Sequence, residues 1–274
     1  MESNTPDVTP DATPGAVPGA VPQGTSLPAT SGLVPSGAAS NETPPEDHPI
    51  PYWHTAVLLL VLGGLSLANV NSGHGARSGQ GHVRIYLATI IYEWLFTAYV
   101  WWGLRRAGGS LRELIGGRWR SVEDFLLDIA LAVGGWLSIL MVIAVAAIAM
   151  GMNQSGSIED ARKQIGFLAP QSGFEVFLWV CLSATAGFCE EVLFRGYLQK
   201  QFTRLLRNRW IALLAVSILF GLGHGYEGGQ RMVLIALLGL ALGIMSMARK
   251  SLRPAMVAHT LQDTISGLLL RSLR

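Results

Sequence analysis

The segment Gly187-Phe188-Cys189-Glu190-Glu191-Val192-Leu193-Phe194-Arg195-Gly196-Tyr197 places two adjacent carboxylates and an arginine inside an otherwise apolar stretch. An ionised side chain at the centre of a membrane-spanning helix costs roughly 2.5–3.5 kcal/mol on insertion scales. A chain that tolerates this cost usually uses the charges, so the segment predicts a functional site. A structural ion pair between helices is the alternative interpretation.

The rest of the chain has the composition of a polytopic membrane protein. Half of its 274 residues are hydrophobic, and only 14% are charged, whereas soluble domains carry about 25% charged residues. About 20 residues are needed to cross the hydrocarbon of a bilayer. We therefore predict an all-α transmembrane bundle of about seven to eight spans over residues 51–274. The apolar segments are 53–70, 85–104, 125–151, 174–197, 210–223, 232–247 and 254–270.

Residues 1–50 are rich in Pro, Ala, Gly, Ser and Thr and contain no Lys or Arg. Such a composition buries too little apolar surface to offset chain entropy, so we predict a disordered tail. Its location follows from loop charge, because basic residues concentrate on the cytoplasmic side. With the tail inside, the inner loops hold five basic residues at 105–120, four at 200–209 and three at 249–253, against seven outside. We expect a cytoplasmic tail on a protein of the plasma membrane.

The same basic loops predict contact with membrane lipids. The sequence contains no basic patch interleaved with aromatic residues, so we predict no nucleic-acid partner. The mixed segment 105–125 has two interpretations, an interfacial helix on anionic lipid or a solvated connector.

Cys181 and Cys189 lie eight residues apart in one apolar segment. On one helix they would be about 12 Å apart, too far for a disulfide, so we interpret both as small apolar residues.

Three clusters of ionisable residues lie in the last four apolar segments. The first and the third cluster each contain two ionisable residues that are four positions apart. Residues at this spacing share a helix face, so we predict that the two side chains of each cluster interact. In the first cluster this leaves Glu190 pointing about 100° away from the pair. The clusters are Glu190 with the pair Glu191–Arg195, then His224, and then the pair His259–Asp263.

Counting along the helices suggests that these clusters converge. If residues 200–209 form the turn between the fourth and fifth helices, Glu190 lies 17 residues before Arg207 and His224 lies 17 residues after it. Antiparallel neighbours would then hold both side chains at one level. His259 lies only about eight residues into its helix, which fits if residues 200–209 extend the fourth helix into the cytosol. We expect one polar cavity in the cytoplasmic half of the bundle.

A cavity with these side chains is suited to the hydrolysis of a peptide bond. A desolvated glutamate together with a histidine can activate water, and a second histidine can stabilise the oxyanion that forms. Each residue also has a structural interpretation. A histidine that ends an apolar helix is often a hydrogen-bonded interface residue, and His259 with Asp263 is also consistent with a simple helix-face pair.

The three motifs Glu190-Glu191-x-x-x-Arg195, Phe220-x-x-x-His224 and His259-x-x-x-Asp263 together resemble the signature of the CPBP family. These intramembrane glutamic endopeptidases include the type II CAAX prenyl protease and bacteriocin-immunity relatives. The resemblance covers about residues 120–274. It implies an endopeptidase whose substrate is a membrane-associated protein or peptide, with a prenylated CAAX protein as the eukaryotic example.

The resemblance also implies a role for each matching residue. Glu190 would be the general base, His224 would help to activate water, and His259 with Asp263 would stabilise the oxyanion. Glu191 and Arg195 would support the site. The last position is often Asn in these proteases, and an ionised Asp263 would repel an oxyanion. Asp263 is therefore expected to be protonated or to orient His259.

Three alternatives remain open at the level of sequence. The first alternative is a zinc-dependent metalloprotease, because relatives were long labelled as such, and the zinc ion would be bound by Glu190, His224 and His259. The sequence contains no His-Glu-x-x-His motif, so we favour a mechanism with no cofactor. The second alternative is a non-catalytic immunity or scaffold protein of the same fold. A proton-coupled transporter is the third, and it is disfavoured because no inverted repeat with broken helices is evident.

Overall fold

The computed structural model describes residues 49–71, 81–152 and 165–272, and within these ranges every regular element is helical. The helices are α1 (Tyr52–Asn71), α2 (His82–Arg106), α3 (Leu111–Ile115), α4 (Val122–Ala149), α5 (Gly173–Glu190), a π-helix (Glu191–Leu198), α6 (Gln199–Leu206), α7 (Arg209–Gly223), α8 (Gly229–Arg249) and α9 (Arg253–Ser272). Each predicted apolar segment coincides with a helix, so the predicted all-α fold is confirmed. The predicted tail lies outside the described residues except for positions 49 and 50.

Four helical stretches are long and apolar enough to cross a membrane: His82–Arg106, Val122–Ala149, Gly173–Leu206 and Gly229–Arg249. Two further helices, Tyr52–Ala68 and Arg209–Gly223, are apolar but shorter. The 20 residues of α9 include the polar third motif, and this helix is not among the four. The prediction of seven to eight spans counted these shorter and more polar helices too. The protein is an integral membrane protein.

Side-chain caps begin several of these helices. Ser121 accepts a hydrogen bond from the amide of Asp124 at the start of α4, and Ser172 forms a capping box with Glu175 at the start of α5. Such caps satisfy amide groups that have no partner within the helix. Between its ends α4 is apolar on nearly all sides, with only Asp128, Ala132 and Ile139 buried. A helix of this kind is suited to contact lipid.

The helix that carries the first motif is longer than predicted. α5, the π-helix and α6 form one continuous stretch of 34 residues, Gly173–Leu206. The turn before α7 therefore consists only of Arg207 and Asn208 and not of the whole range 200–209. Arg207 adopts a left-handed conformation (φ 53°), and Asn208 caps α7. The interpretation of 200–209 as the turn was wrong. The alternative, in which these residues extend the fourth helix, was right.

This extension explains why Glu190 and His259 lie at the same level although the two residues are at unequal distances along the chain from the turns next to them. The turn between α8 and α9 lies beside Gly196, ten residues before the end of the long helix, where a Cβ on Gly196 would lie 3.1 Å from Cδ1 of Leu252. Glu190 is six residues before Gly196, and His259 is seven residues after Leu252. Both side chains therefore lie at about the same depth.

The segment between α2 and α4, for which both interpretations stay predictions, is anchored to the bundle through one short helix. Its short helix α3 packs on the π-helix, with Leu114 in the main hydrophobic core. The carbonyl of Ile115 accepts hydrogen bonds from the amide of Leu252 (2.9 Å) and the hydroxyl of Ser251 (3.2 Å). These bonds fix the α8–α9 turn against the long helix. Sequence pattern missed this role because the partners are more than 130 residues away.

Candidate active site

The first motif forms a π-helix rather than the α-helix assumed from spacing. All eight residues of Glu191–Leu198 are buried, and Glu190 is the last residue of α5. Isolated π-helical turns are rare and frequently occur at functional sites. The far end of this π-helix is held by the Tyr197 hydroxyl, which lies 2.8 Å from both Nδ1 of His54 and Oγ1 of Thr55 on α1.

Glu191 is the centre of a buried ionic cluster. Its Oε1 lies 2.9 Å from Nη1 of Arg195 and 2.9 Å from Nδ1 of His259. The pair with Arg195 is thus the one predicted from helical spacing, whereas the link to His259 was not foreseen. The contact with Arg195 is an ion pair without hydrogen-bond geometry, and the guanidinium also lies 4.1 Å from the centre of the Phe220 ring. A carboxylate only accepts hydrogen bonds, so Nδ1 of His259 carries a proton.

The other nitrogen of His259 faces two further carboxylates. Its Nε2 lies 3.6 Å from Oε2 of Glu190 and 3.6 Å from Oδ2 of Asp263. The exposed fractions of the side chains are 3% for His259, 14% for Glu190 and 33% for Asp263. The ring is therefore fixed by Glu191 on its buried side, and its Nε2 is directed towards the more accessible carboxylates.

His224 ends α7 on another wall of the same site. Its Nδ1 lies 2.9 Å from the carbonyl oxygen of Phe220, and since a carbonyl cannot donate, Nδ1 carries the proton in the neutral ring. This leaves Nε2 as an acceptor. The Phe220 ring contacts both histidines edge-on, with centroids 5.0 Å from His224 and 5.8 Å from His259. Among the described residues no ion pair joins His224 directly to Glu190.

Glycines allow the helices that carry these groups to approach closely. A Cβ on Gly187 in α5 would lie 2.8 Å from the carbonyl oxygen of Met256 in α9 and would overlap the Thr260 hydroxyl. A Cβ on Gly239 in α8 would lie 3.0 Å from Nη2 of Arg195. Such close contact has no room for a side chain. The first and third motifs therefore meet because of residues outside both motifs.

All four residues predicted to be catalytic line one cavity. It has a volume of about 1540 Å³, and most of its lining side chains are apolar. They come from α1, α2, α5, α7, α8 and α9, among other elements. A few convergent polar groups in a largely apolar cavity are typical of a binding or active site. The acidic and histidine side chains that line it are Glu93, Glu190, His224, Glu227, His259 and Asp263.

Sequence reasoning missed several residues of this site. Glu93 is buried on α2, and Trp179 donates a hydrogen bond from Nε1 to the carbonyl oxygen of Asp263 (3.0 Å). Tyr226 lies in the turn after α7, where burial raises the pKa of its hydroxyl well above the usual range. Glu93 had a usable signal, because it is the single charged residue in the apolar segment 85–104, and the cost of burying a charge applies to it as well.

Two of the three side chains that would bind zinc have other hydrogen-bond partners. The described residues contain no group of three or more His, Cys, Asp or Glu side chains arranged to hold a metal ion. Of the three side chains that would be zinc ligands, His259 has its Nδ1 bound to Glu191, and His224 has its Nδ1 directed to a backbone carbonyl. Cys181 and Cys189 are both free and both lie on α5, as predicted.

Residues 172–265 match the family model described as Type II CAAX prenyl endopeptidase Rce1-like. The matched region covers about a third of the chain and extends from the cap of α5 into α9, so it contains all three motifs. It confirms the resemblance to CAAX proteases of the CPBP family for this region. No curated protein and no solved structure matches the chain significantly.

Proposed function

We propose that the protein is a glutamic endopeptidase that hydrolyses a peptide bond of a membrane-associated substrate. The family match supports an intramembrane CAAX-type protease at the level of the family. The single observation that carries the mechanism is the position of Glu190. Its carboxylate lines a large cavity and lies beside His259, whose ring is fixed through Nδ1 by Glu191.

Glu190 is the group proposed to take a proton from water. A carboxylate at a partly desolvated site is suited to this role. His224, at the end of α7, contributes a second acceptor, Nε2, to the same cavity. Because these two groups do not touch, a water molecule between them would donate one hydrogen bond to each. Its oxygen would then attack the carbonyl carbon of the substrate as its proton moves to Glu190.

His259 is proposed to stabilise the oxyanion that this attack creates. Its Nε2 is directed into the cavity, and the Glu191 carboxylate fixes the ring through Nδ1. The role requires Nε2 to carry a proton as well, and a donor held rigidly in place needs no reorganisation during the reaction. Asp263, 3.6 Å from Nε2, is proposed to orient the ring. The proton on Glu190 finally passes to the amine that leaves.

The cavity supports a substrate with a large apolar group close to the scissile bond. Most of its 1540 Å³ is bounded by aliphatic and aromatic side chains, which would bind hydrocarbon through burial of apolar surface. A prenylated peptide of the CAAX type fits this description and agrees with the family match. Membrane lipids are the proposed surroundings of the bundle, and no nucleic acid is a proposed partner.

The positions of basic residues support a cytoplasmic location of the tail. Arg204 donates to the carbonyl of Ile50 just before α1, and Arg249 pairs with Asp124 and Asp128 near the start of α4. The beginnings of α1 and α4 therefore lie at the same basic end as the ends of α6 and α8. By the positive-inside rule this end is proposed to face the cytoplasm, and the plasma membrane is the proposed location.

The test is cleavage of a defined peptide by the full chain in liposomes. The substrates are a farnesylated peptide that ends in a CAAX sequence and the same peptide without the lipid. Glu190→Gln and His224→Ala are each expected to lower kcat by at least about 100-fold, whereas the exposed Glu123→Gln control should retain it. Full cleavage by both variants would contradict the mechanism and would favour a non-catalytic scaffold of the same fold.

A further inference from the structure

Glu93 is a buried carboxyl group that the proposed mechanism does not use. It lies on α2, outside the region that matches the family, and only 7% of the residue is exposed. It lines the same cavity as Glu190 and His259. Burying an ionised carboxylate without a partner is costly, so its position requires an explanation.

The register of two parallel helices places Glu93 close to Glu190. Contacts between α2 and α5 join residues 93 or 94 positions apart along the chain: His82 with Glu175 (3.3 Å), Tyr86 with Trp179 (ring centres 5.5 Å apart) and Trp94 with Phe188 (5.6 Å). Equal offsets mean that the helices advance together. Glu93 is thus opposite Ala186 and Gly187, one turn before Glu190, and two glutamate side chains can span that turn.

The two carboxyl groups face each other across the contact between α2 and α5. Oε2 of Glu93 and Oε2 of Glu190 are both buried, and neither receives a hydrogen bond from an N–H or O–H donor in the described residues. Two carboxylates are acceptors only, so a direct hydrogen bond between the two groups requires that one proton be held between them. The other ionisable groups that face Glu93 are Cys189 on α5 and Asp263 on α9, and neither is a cation.

We propose, on the basis of the function proposed above, that Glu93 is a positioning residue whose protonated carboxyl group donates a hydrogen bond to Glu190. This bond directs the Glu190 carboxylate and keeps it ionised as the acceptor for water. Glu93 itself neither touches the substrate nor exchanges its proton during a turnover. The proton from water goes to Glu190 and then to the leaving amine, so the Glu93 proton is unchanged when the cycle ends.

Two substitutions at Glu93 distinguish a side chain that donates a hydrogen bond to Glu190 from one that only fills the space. Glu93→Gln keeps a donor on a side chain of similar shape, and this donor cannot be lost at high pH. Glu93→Leu fills similar space without any donor. Thr97→Val is the matched control, because Thr97 is also buried and lies one turn further along the same face of α2.

The measurement is kcat and KM for the farnesylated peptide as a function of pH, with the unfolding midpoint of each variant. Glu93→Leu is expected to lower kcat roughly 10- to 100-fold at unchanged KM, since a hydrogen bond to a charged group is lost. Glu93→Gln is expected to recover most of this loss and to move the alkaline limb of the pH profile upward. Thr97→Val should match the wild-type protein.

Other results would overturn the proposal. Wild-type kcat in Glu93→Leu would show that Glu93 does not position Glu190. Equal losses in Glu93→Gln and Glu93→Leu, without a change in the pH profile, would assign Glu93 a structural role instead. Failure of the proposed function itself is distinguishable, because Glu190→Gln would then cleave the peptide as fast as the wild-type protein.

Discussion

Replacing Arg195 with methionine would leave the Glu191 carboxylate buried without its cation. The two side chains are 2% and 0% exposed, and the charged atoms lie 2.9 Å apart. The only other contact of Glu191 Oε1 with a potential cation in the described residues is with His259. The change therefore tests whether the ion pair holds the π-helix and the third motif together.

The expected loss of stability follows from the burial of the pair. Removing one partner of a buried ion pair costs about 3–5 kcal/mol, because the other charge remains in an apolar environment. His259 retains its hydrogen bond to Glu191, so we expect the lower end of this range. About 3 kcal/mol corresponds to roughly a 100-fold change in the unfolding equilibrium. Converting both partners in a Glu191→Gln/Arg195→Met variant removes the unpaired charge, and the double variant should recover at least about 1 kcal/mol of the loss.

The assay is equilibrium unfolding of the detergent-solubilised protein by increasing denaturant, followed by loss of helical circular dichroism. Arg112→Met, at an exposed position on α3, is the control and should remain within about 0.5 kcal/mol of wild type. An equally small effect of Arg195→Met would refute the reasoning. So would a double variant that is less stable than Arg195→Met alone, because relief of the unpaired charge would then be absent.

Three further predictions concern packing, hydrogen bonding and metal dependence. Gly187→Ala should separate α5 from α9 and abolish most cleavage, because the added methyl group would lie 2.8 Å from the carbonyl oxygen of Met256; Gly134→Ala, with open space around it, should be neutral in the same cleavage assay. Tyr197→Phe removes two buried hydrogen bonds and should lower the free energy of unfolding by about 1–3 kcal/mol, whereas Tyr52→Phe, which removes one exposed hydrogen bond from Arg204, should lower it less. A zinc chelator should leave the cleavage rate unchanged, since the described residues form no group suited to a metal ion; inhibition that added zinc reverses would contradict this prediction.

Much of the candidate site could be predicted because a charged residue in an apolar helix can be recognised from the neighbouring sequence alone. Glu190, Glu191 and Arg195 were conspicuous within segment 174–197, and the i,i+4 spacing was sufficient to pair two of them. The same reasoning applied to Glu93 would have added α2 to the site. It was missed because Glu93 belongs to no motif and its neighbour Glu190 is 97 residues away along the chain.

Other features depended on contacts that no local pattern contains. Spacing predicted that Glu191 pairs with Arg195, but not that the same oxygen binds His259, because that bond joins two helices across the bundle. The π-helical form of Glu191–Leu198 was also not predictable, since the segment has ordinary helix-forming residues. Its geometry is held by partners elsewhere, among them the bonds from α1 to Tyr197.

By itself, the sequence determined the fold class and the membrane-protein class, and it supplied the candidate residues of the site. These properties follow from hydrophobicity and charge, which act residue by residue. Only the tertiary structure decided which side chains face one another, namely Glu191 with His259 and Glu93 with Glu190. The physical reason is that such pairs depend on helix register and on the close approach that glycines such as Gly187 permit. Those distances are set by the packing of the whole bundle.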